Sequence, residues 1–294
     1  MKTMQNPNGE RTCRVIESDQ QTDSFLSALS DDQLAVRLCS VRCKEAQMEA
    51  APNQDYARVV IDERASILSF CVCDGVGGSF QGHVAARELA TRLTRYLLTL
   101  PGIPRHPRTA TVALRTHLDR WATEAQQTLH QAELPLHISA LEEEILVEQR
   151  DQHGSATVFF GGRVEYAPPR RPRRFEQTLP ALFCWMGNVT ARVCAARKPC
   201  ELLGDVHNDR NRWSTRSGCQ GLLTMRMSAL NRSDPLVVYT DGLASLGPQL
   251  ALLDDHQLQR RMWEQLALPA SDDMTVLELH WAGTRRVHTQ RMMA

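Results

Sequence analysis

An α+β fold with antiparallel strands is what this sequence predicts, and three observations lead there. Two β-branched apolar runs, Ala57–Ile61 and Ser66–Cys73, flank the charged turn Asp62-Glu63-Arg64 and read as an antiparallel hairpin. Helical periodicity then takes over, with Phe80, Val84, Leu89, Leu93, Leu97 and Leu100 near one face. From Gly154 the chain returns to strand character, so the helices read as an insertion between strands and not as a separate domain.

Residues 1–30 are polar and unpatterned and are expected to form a loose N-terminal arm. Leu34, Leu38 and Val41 suggest one short helix before the polar stretch Glu45–Asn53. After the hairpin, Pro101-Gly102 ends the first long helix. A second helix has Leu114, Leu118, Trp121, Ala125 and Leu129 in register, and a third, more acidic, lies around Ser139–Gln149. Ser155–Phe160 reads as a strand and Ala181–Ala196 as a hairpin around Gly187-Asn188. Between them, Ala167–Phe175 is a Pro/Arg-rich loop, either a solvated hairpin tip or a docking site for an acidic or phosphorylated partner. Residues 205–233 are polar, with Gly218, Gly221 and Trp213. A buried strand at Pro235–Thr240, a helix near Leu250–Leu266 and a final strand at Met274–Trp281 close the chain, and no internal repeat is visible.

With 294 residues, 42% apolar and 23% charged, the chain can bury a core. Lys+Arg and Asp+Glu are both 34, which argues against a general polyanion binder, so no nucleic-acid partner is expected. No run approaches the roughly 18–20 apolar residues of a membrane span, and the first residues lack an apolar signal core. A cytoplasmic protein without a membrane partner is the expectation. Nine cysteines, an odd number without a CxxC pair, argue against a disulfide framework or a zinc knuckle. Cys71 and Cys73 lie two apart on a strand, face the same way and read as packing residues. The only lysines are Lys2, Lys44 and Lys198, none after a glycine-rich loop, which disfavours a Walker-type nucleotide site and Schiff-base chemistry.

The chemistry-bearing pattern is a repeated grammar. SILSFCVC runs into Asp74-Gly75 and PLVVYT into Asp241-Gly242, each an apolar strand ending in a carboxylate and a sharp-turning glycine. Asp272-Asp273 stands just before the strand Met274-Thr275-Val276-Leu277. In an antiparallel sheet the end of one strand lies beside the start of its neighbour, so all three acidic groups are expected at one rim of a sheet. Carboxylates crowded there repel one another and lose hydration, and a cation among them relieves both costs. An all-oxygen set without His or Cys favours Mg²⁺ or Mn²⁺ over zinc.

Val72-Cys73-Asp74-Gly75-Val76-Gly77-Gly78, with Gly82 and Ala85-Ala86 following, resembles the signature of the metal-dependent, type 2C serine/threonine phosphatases. Four further motifs resemble that family's in its order: Asn53-Gln54-Asp55, Gly154-Ser155-Ala156-Thr157, Thr240-Asp241-Gly242-Leu243 and Asp272-Asp273-Met274-Thr275. The resemblance spans roughly residues 45–281. It implies a four-layer α-β-β-α sandwich, two antiparallel sheets flanked by helices, with two Mn²⁺ or Mg²⁺ ions at one end. The domain would be 45–283, with 1–44 an arm carrying the short helix and 284–294 a tail.

Carried over residue by residue, Asp74 would bridge the ions, the Gly75 carbonyl would hold one, and Asp241 and Asp272 the other. Asp55 would support the site directly or through water. Asp74 and Asp241 would thus be the catalytic carboxylates, while Asp273 takes the family's Asn position. The implied reaction is hydrolysis of phosphoserine or phosphothreonine in a phosphorylated protein partner, with a cognate serine/threonine kinase as a further partner. A catalytically silent phosphatase-like binding or regulatory module is the alternative. A haloacid-dehalogenase-type reading falls, because its second Asp would have to stand at Val76.

Three positions depart from the family pattern. The arginine that often precedes the first acidic motif is missing from Ala46–Pro52, leaving Arg42 further upstream as a substitute. Val76 replaces a His found in many eukaryotic members, which points to the bacterial-type branch; His83 and His153 read as packing or surface residues. Asn188 stands where the family's Gly-Asp-Ser-Arg strand carries Asp, which puts an additional metal site in doubt.

Overall fold

Much of the described N-terminal region is built into the sheets. The computed structural model describes residues 2–5, 12–30, 33–130, 139–166, 178–194, 200–204 and 210–281. In it, β1 (Lys2–Gln5), β2 (Thr12–Glu17), β3 (Ser24–Ser30) and β4 (Leu34–Val41) precede a short helix, α1 (Lys44–Met48). The expected loose arm is therefore a run of strands, and the expected helix at Leu34, Leu38 and Val41 is a strand. Leu34, Val36 and Leu38 point into one apolar core, whereas Cys39 and Val41 point into another. A short apolar run satisfies both periods, and burial on two faces selects the strand.

The expected hairpin forms between β5 (Tyr56–Asp62) and β6 (Ile67–Gly75), with Ile61 opposite Leu68. Three helices follow, α2 (Gly82–Thr99), α3 (Pro107–His130) and α4 (Ala140–Gln152), and then β7 (Ala156–Glu165). Next come β8 (Thr178–Met186), β9 (Thr190–Val193) and β10 (Glu201–Leu203). The polar stretch 205–233 contributes β11 (Arg212–Ser214), β12 (Gly218–Gln220) and β13 (Thr224–Asn231). The last described elements are β14 (Leu236–Tyr239), α5 (Asp255–Leu266) and β15 (Met274–Trp281). The Pro/Arg-rich segment 167–175 and the tail 284–294 lie outside the described residues.

Two antiparallel sheets result. The larger runs β1-β2-β5-β6-β7-β11-β12, with β8 paired to β7 and β13 to β8; the smaller runs β10-β9-β14-β15-β4-β3. One edge of β7 is shared, since Phe159–Val164 pair with β8 while Ala156 and Thr157 pair with β11. The residues 181–196 do not form a hairpin. β8 belongs to the larger sheet and β9 to the smaller, so Gly187-Asn188 is a crossing between sheets. Gly187 has φ 87°, and a Cβ there would lie 2.3 Å from Val158 Cγ1. Only glycine makes that turn.

Three apolar clusters separate four layers, as expected. Phe70, Val72, Phe160, Val238 and Leu277 fill the space between the sheets. Leu89, Leu93 and Leu97 of α2 and Leu118 of α3 cover the outer face of the larger sheet over Cys71, Cys73 and Trp213. Leu258, Met262 and Leu266 of α5 cover the smaller sheet over Cys39, Tyr239 and Val276. A capping box between Asp254 and Gln257 starts α5. At the far end of α2, buried Arg163 of β7 donates to the carbonyls of Leu97, Leu98 and Leu100, satisfying a helix terminus.

Cys71 and Cys73 lie side by side under α2, Sγ to Sγ 3.4 Å, as packing residues. One disulfide, Cys194–Cys200, ties the end of β9 to the start of β10, a pairing that the sequence did not suggest. No helix among the described residues is long and apolar enough to cross a membrane.

Candidate metal centre

Asp74 continues the face of β6 that Phe70 and Val72 present to the space between the sheets, and it stands at the end of that strand. The turn after it is sterically tight. A Cβ on Gly75 would lie 2.6 Å from the Gly82 carbonyl carbon and 2.8 Å from the Gln54 carbonyl oxygen. The Asp-Gly-Val-Gly-Gly run is thus held between the start of α2 and the 53–55 loop, with Gly75 N–H donating to Gln54 O at 3.1 Å.

Asp241 and Asp272-Asp273 come from the other sheet. β14 and β15 are neighbours, Tyr239 opposite Val276, so the end of one strand lies at the start of the next. Gly242 packs so closely on the Asp273 carbonyl that a Cβ there would lie 2.1 Å from its oxygen. The acidic groups therefore meet, but across a gap between two sheets; the expectation of one rim of one sheet was too simple. A sequence shows which strand ends are acidic, whereas the stacking of sheets belongs to tertiary packing.

Asp55 joins them from the loop before β5. Thr240 Oγ1 donates to Asp55 Oδ2 at 2.7 Å, and Thr240 Oγ1 accepts from Thr275 N–H at 2.9 Å. Asn53 Oδ1 accepts the Asp55 N–H at 2.8 Å, and its Nδ2 donates to Ser40 Oγ at 3.1 Å. Buried Gln20 holds the same loop by donating to the carbonyls of Asn53 and Asp55. Asp273 accepts from the amides of Cys43 and Gln54, both at 2.6 Å, so each of its oxygens is engaged by the backbone.

The electrostatics are those of crowded like charges. Burial first, then the charges of Asp74 and Asp273, push the Asp55 carboxyl well above the usual range against the Thr240 hydrogen bond. Burial and then Asp241, Asp272 and Asp273 do the same to Asp74. Asp241 is raised by desolvation and then by Asp272, while the Asn188 amide, Nδ2 to Oδ2 3.0 Å, pulls it back. The upstream cation candidate is engaged elsewhere: Arg42 clasps both Asp23 oxygens and donates to Ala51 O.

These donors fit a hard divalent cation, being carboxylate and carbonyl oxygens with no His or Cys among them. Among the described residues no group of three His, Cys, Asp or Glu side chains is arranged to hold a metal ion by itself. An ion here would take one or two carboxylates and complete its shell with water, the habit of Mg²⁺. A cleft of about 310 Å³, lined by Asp241, Gly242, Ser245 and Asp272, opens beside them. His83, half-buried, is pushed down to about 4 by desolvation and then by the charge of Arg87, as a packed histidine would be, and His153 is exposed.

No family sequence model and no curated protein sequence matches the chain. Solved structures do. The serine/threonine phosphatase Stp1 from Staphylococcus aureus superposes with TM-score 0.55 at 15% identity, over 83% of this chain and 94% of that one. RsbX in complex with magnesium gives 0.54 at 11% identity, over 87% and 99%. The catalytic domain of the serine/threonine phosphatase PstP with two manganese ions gives 0.51 at 14% identity, over 85% and 98%. The chain has the bacterial type 2C phosphatase fold.

Proposed function

We propose that this protein is a metal-dependent serine/threonine protein phosphatase of the bacterial type 2C family, acting on phosphoserine or phosphothreonine in a cytoplasmic phosphoprotein. The observation that carries the reading is the meeting of Asp55, Asp74, Asp241 and Asp272 at one mouth between the sheets, with mutual repulsion and, among the described residues, no cationic side chain that relieves it. Asp74 and the Gly75 carbonyl would hold one Mn²⁺ or Mg²⁺, and Asp241 and Asp272 a second, with water completing each shell. Bound there, such cations supply a water of lowered pKa and positive charge opposite the phosphoryl oxygens.

The chain's own part is placement. Thr240 and Asn53 fix the Asp55 loop, and Asp273 staples the β4–α1 corner and the Gln54 amide to β15. The proposed hydrolysis calls on no thiol nucleophile, and burial raises the thiols of Cys71 and Cys184, which disfavours their thiolates. Turnover of a phosphoserine peptide and of p-nitrophenyl phosphate with Mn²⁺, abolished by EDTA, is the expected result. A phosphatase-like module that binds a partner without turnover is the second reading. The capture of Arg42 by Asp23 and the presence of Asn188 beside Asp241 favour it. Absence of metal-stimulated activity on all substrates tested would select it.

A further inference from the structure

With Arg42 committed to Asp23, Arg212 of β11 offers another guanidinium. Asp74 stands opposite Val158 across β6 and β7, and Trp213 stands opposite Thr157 across β7 and β11. Arg212 therefore extends the row from Asp74 through Val158 by one more strand. Trp213 points into the helix-side core, so Arg212, one residue before it, faces the side that Val158 and Asp74 face. Two strand spacings of ~4.8 Å set the two backbones about 10 Å apart, a gap that a long Arg side chain and a bound oxyanion can close between them.

The guanidinium lines a cavity of about 170 Å³ with Val76, Ser79, Ala156, Ser217 and Gln220, on the loop that follows Asp74-Gly75. Among the described residues no Asp or Glu lines it, in contrast to the acidic cleft at Asp241 and Asp272. Arg212 Nε donates to Gln220 Oε1 at 2.8 Å, which orients the fork, and among the described residues no carboxylate pairs with it. Since a water occupies about 30 Å³ of liquid, the space admits one tetrahedral oxyanion and a few waters.

We propose that Arg212 and this cavity form the subsite that receives an oxyanion of the phosphorylated substrate, a reading that rests on the phosphatase assignment. The shared chemistry is a phosphoryl or carboxylate group held by a guanidinium fork. The test compares the full chain with R212A and R212K, in Mn²⁺, on p-nitrophenyl phosphate, a neutral-flank phosphoserine peptide and an acidic-flank one. KM should rise about tenfold in R212A, with kcat changed far less and R212K recovering part of the loss. Unfolding midpoints close to that of the parent would show that the fold is intact, and R212K keeps the charge if R212A is unstable.

A rise on all three substrates means that the fork holds the phosphoryl group under attack, and a rise on the acidic peptide alone means that it holds a flanking carboxylate. An unchanged KM on all three overturns the proposal. If the parent chain turns over none of them, inorganic phosphate binding, followed by thermal shift, decides instead. Weaker binding in R212A keeps the subsite while the catalytic reading fails, and equal binding overturns the subsite too.

Discussion

Asp55 and Asp273 are 1% and 4% exposed and tied down by hydroxyl and amide donors, whereas Asp241 and Asp272 face solvent. Asp241 receives the Asn188 amide and Asp272 the N–H of its own neighbour, Asp273. The inner pair therefore does what a hydrogen-bonded carboxylate does best, fixing three chain segments relative to one another. The outer pair, with Asp74 between the two groups, keeps oxygens open to solvent. A division of labour among carboxylates of the same type follows from how many donors each has and how much water it retains.

The sharpest way to break that comparison is Asp74→Ala. We expect metal-dependent turnover to fall by at least about 10³-fold, several kcal/mol of transition-state stabilisation. The metal-free chain should meanwhile unfold at an equal or higher temperature, because a repulsive centre has gone. A loss of fold alongside activity would make Asp74 a structural residue instead. Asp273→Ala should reverse the pattern. It strands two amide donors, for a cost of about 2–3 kcal/mol in a denaturant titration, with a smaller kinetic effect than at Asp74.

The titration behaviour offers a third test. Asp55, Asp74 and Asp241 have raised pKa values in the folded chain, so the folded state binds more protons than the unfolded one above the ordinary carboxylate range. Their contribution to stability is complete below that range and is lost as pH rises through the raised values. The metal-free melting temperature should thus fall as pH rises above the ordinary carboxylate range, less steeply in Asp74→Ala and with Mn²⁺ offsetting the fall. Asn188→Asp exchanges a donor for a charge beside Asp241; a few-fold tighter Mn²⁺ binding by calorimetry is expected, with lower metal-free stability. Smallest of all, Cys71→Ser should leave turnover unchanged and cost about 1–2 kcal/mol of stability for a hydroxyl in an apolar layer.

Much of the site was readable because it is local. Apolar strands ending in Asp-Gly, and Asp-Asp before the last strand, are patterns of a few residues, and β5, β6, α2, β14 and β15 appear where periodicity places them. What was misread depends on distant neighbours. Leu34–Val41 fits either period, and burial from two sides decides it. Gly187-Asn188 looks like a hairpin turn until β8 and β9 join different sheets, and the three-residue strands β11 and β12 are too short to show a period. Nothing near Arg163 hints that it closes the end of α2, nor near Arg212 that it shares a sheet face with Asp74.

By itself the sequence determined which strand ends carry oxygen donors and which helix faces are apolar, since alternation and turn chemistry act over a handful of bonds. Only the tertiary structure decided that those ends face one another from two sheets, that Asp273 is consumed by backbone amides, and that Arg42 answers to Asp23. Those outcomes depend on the packing of surfaces separated by up to 230 residues, where no short-range rule applies.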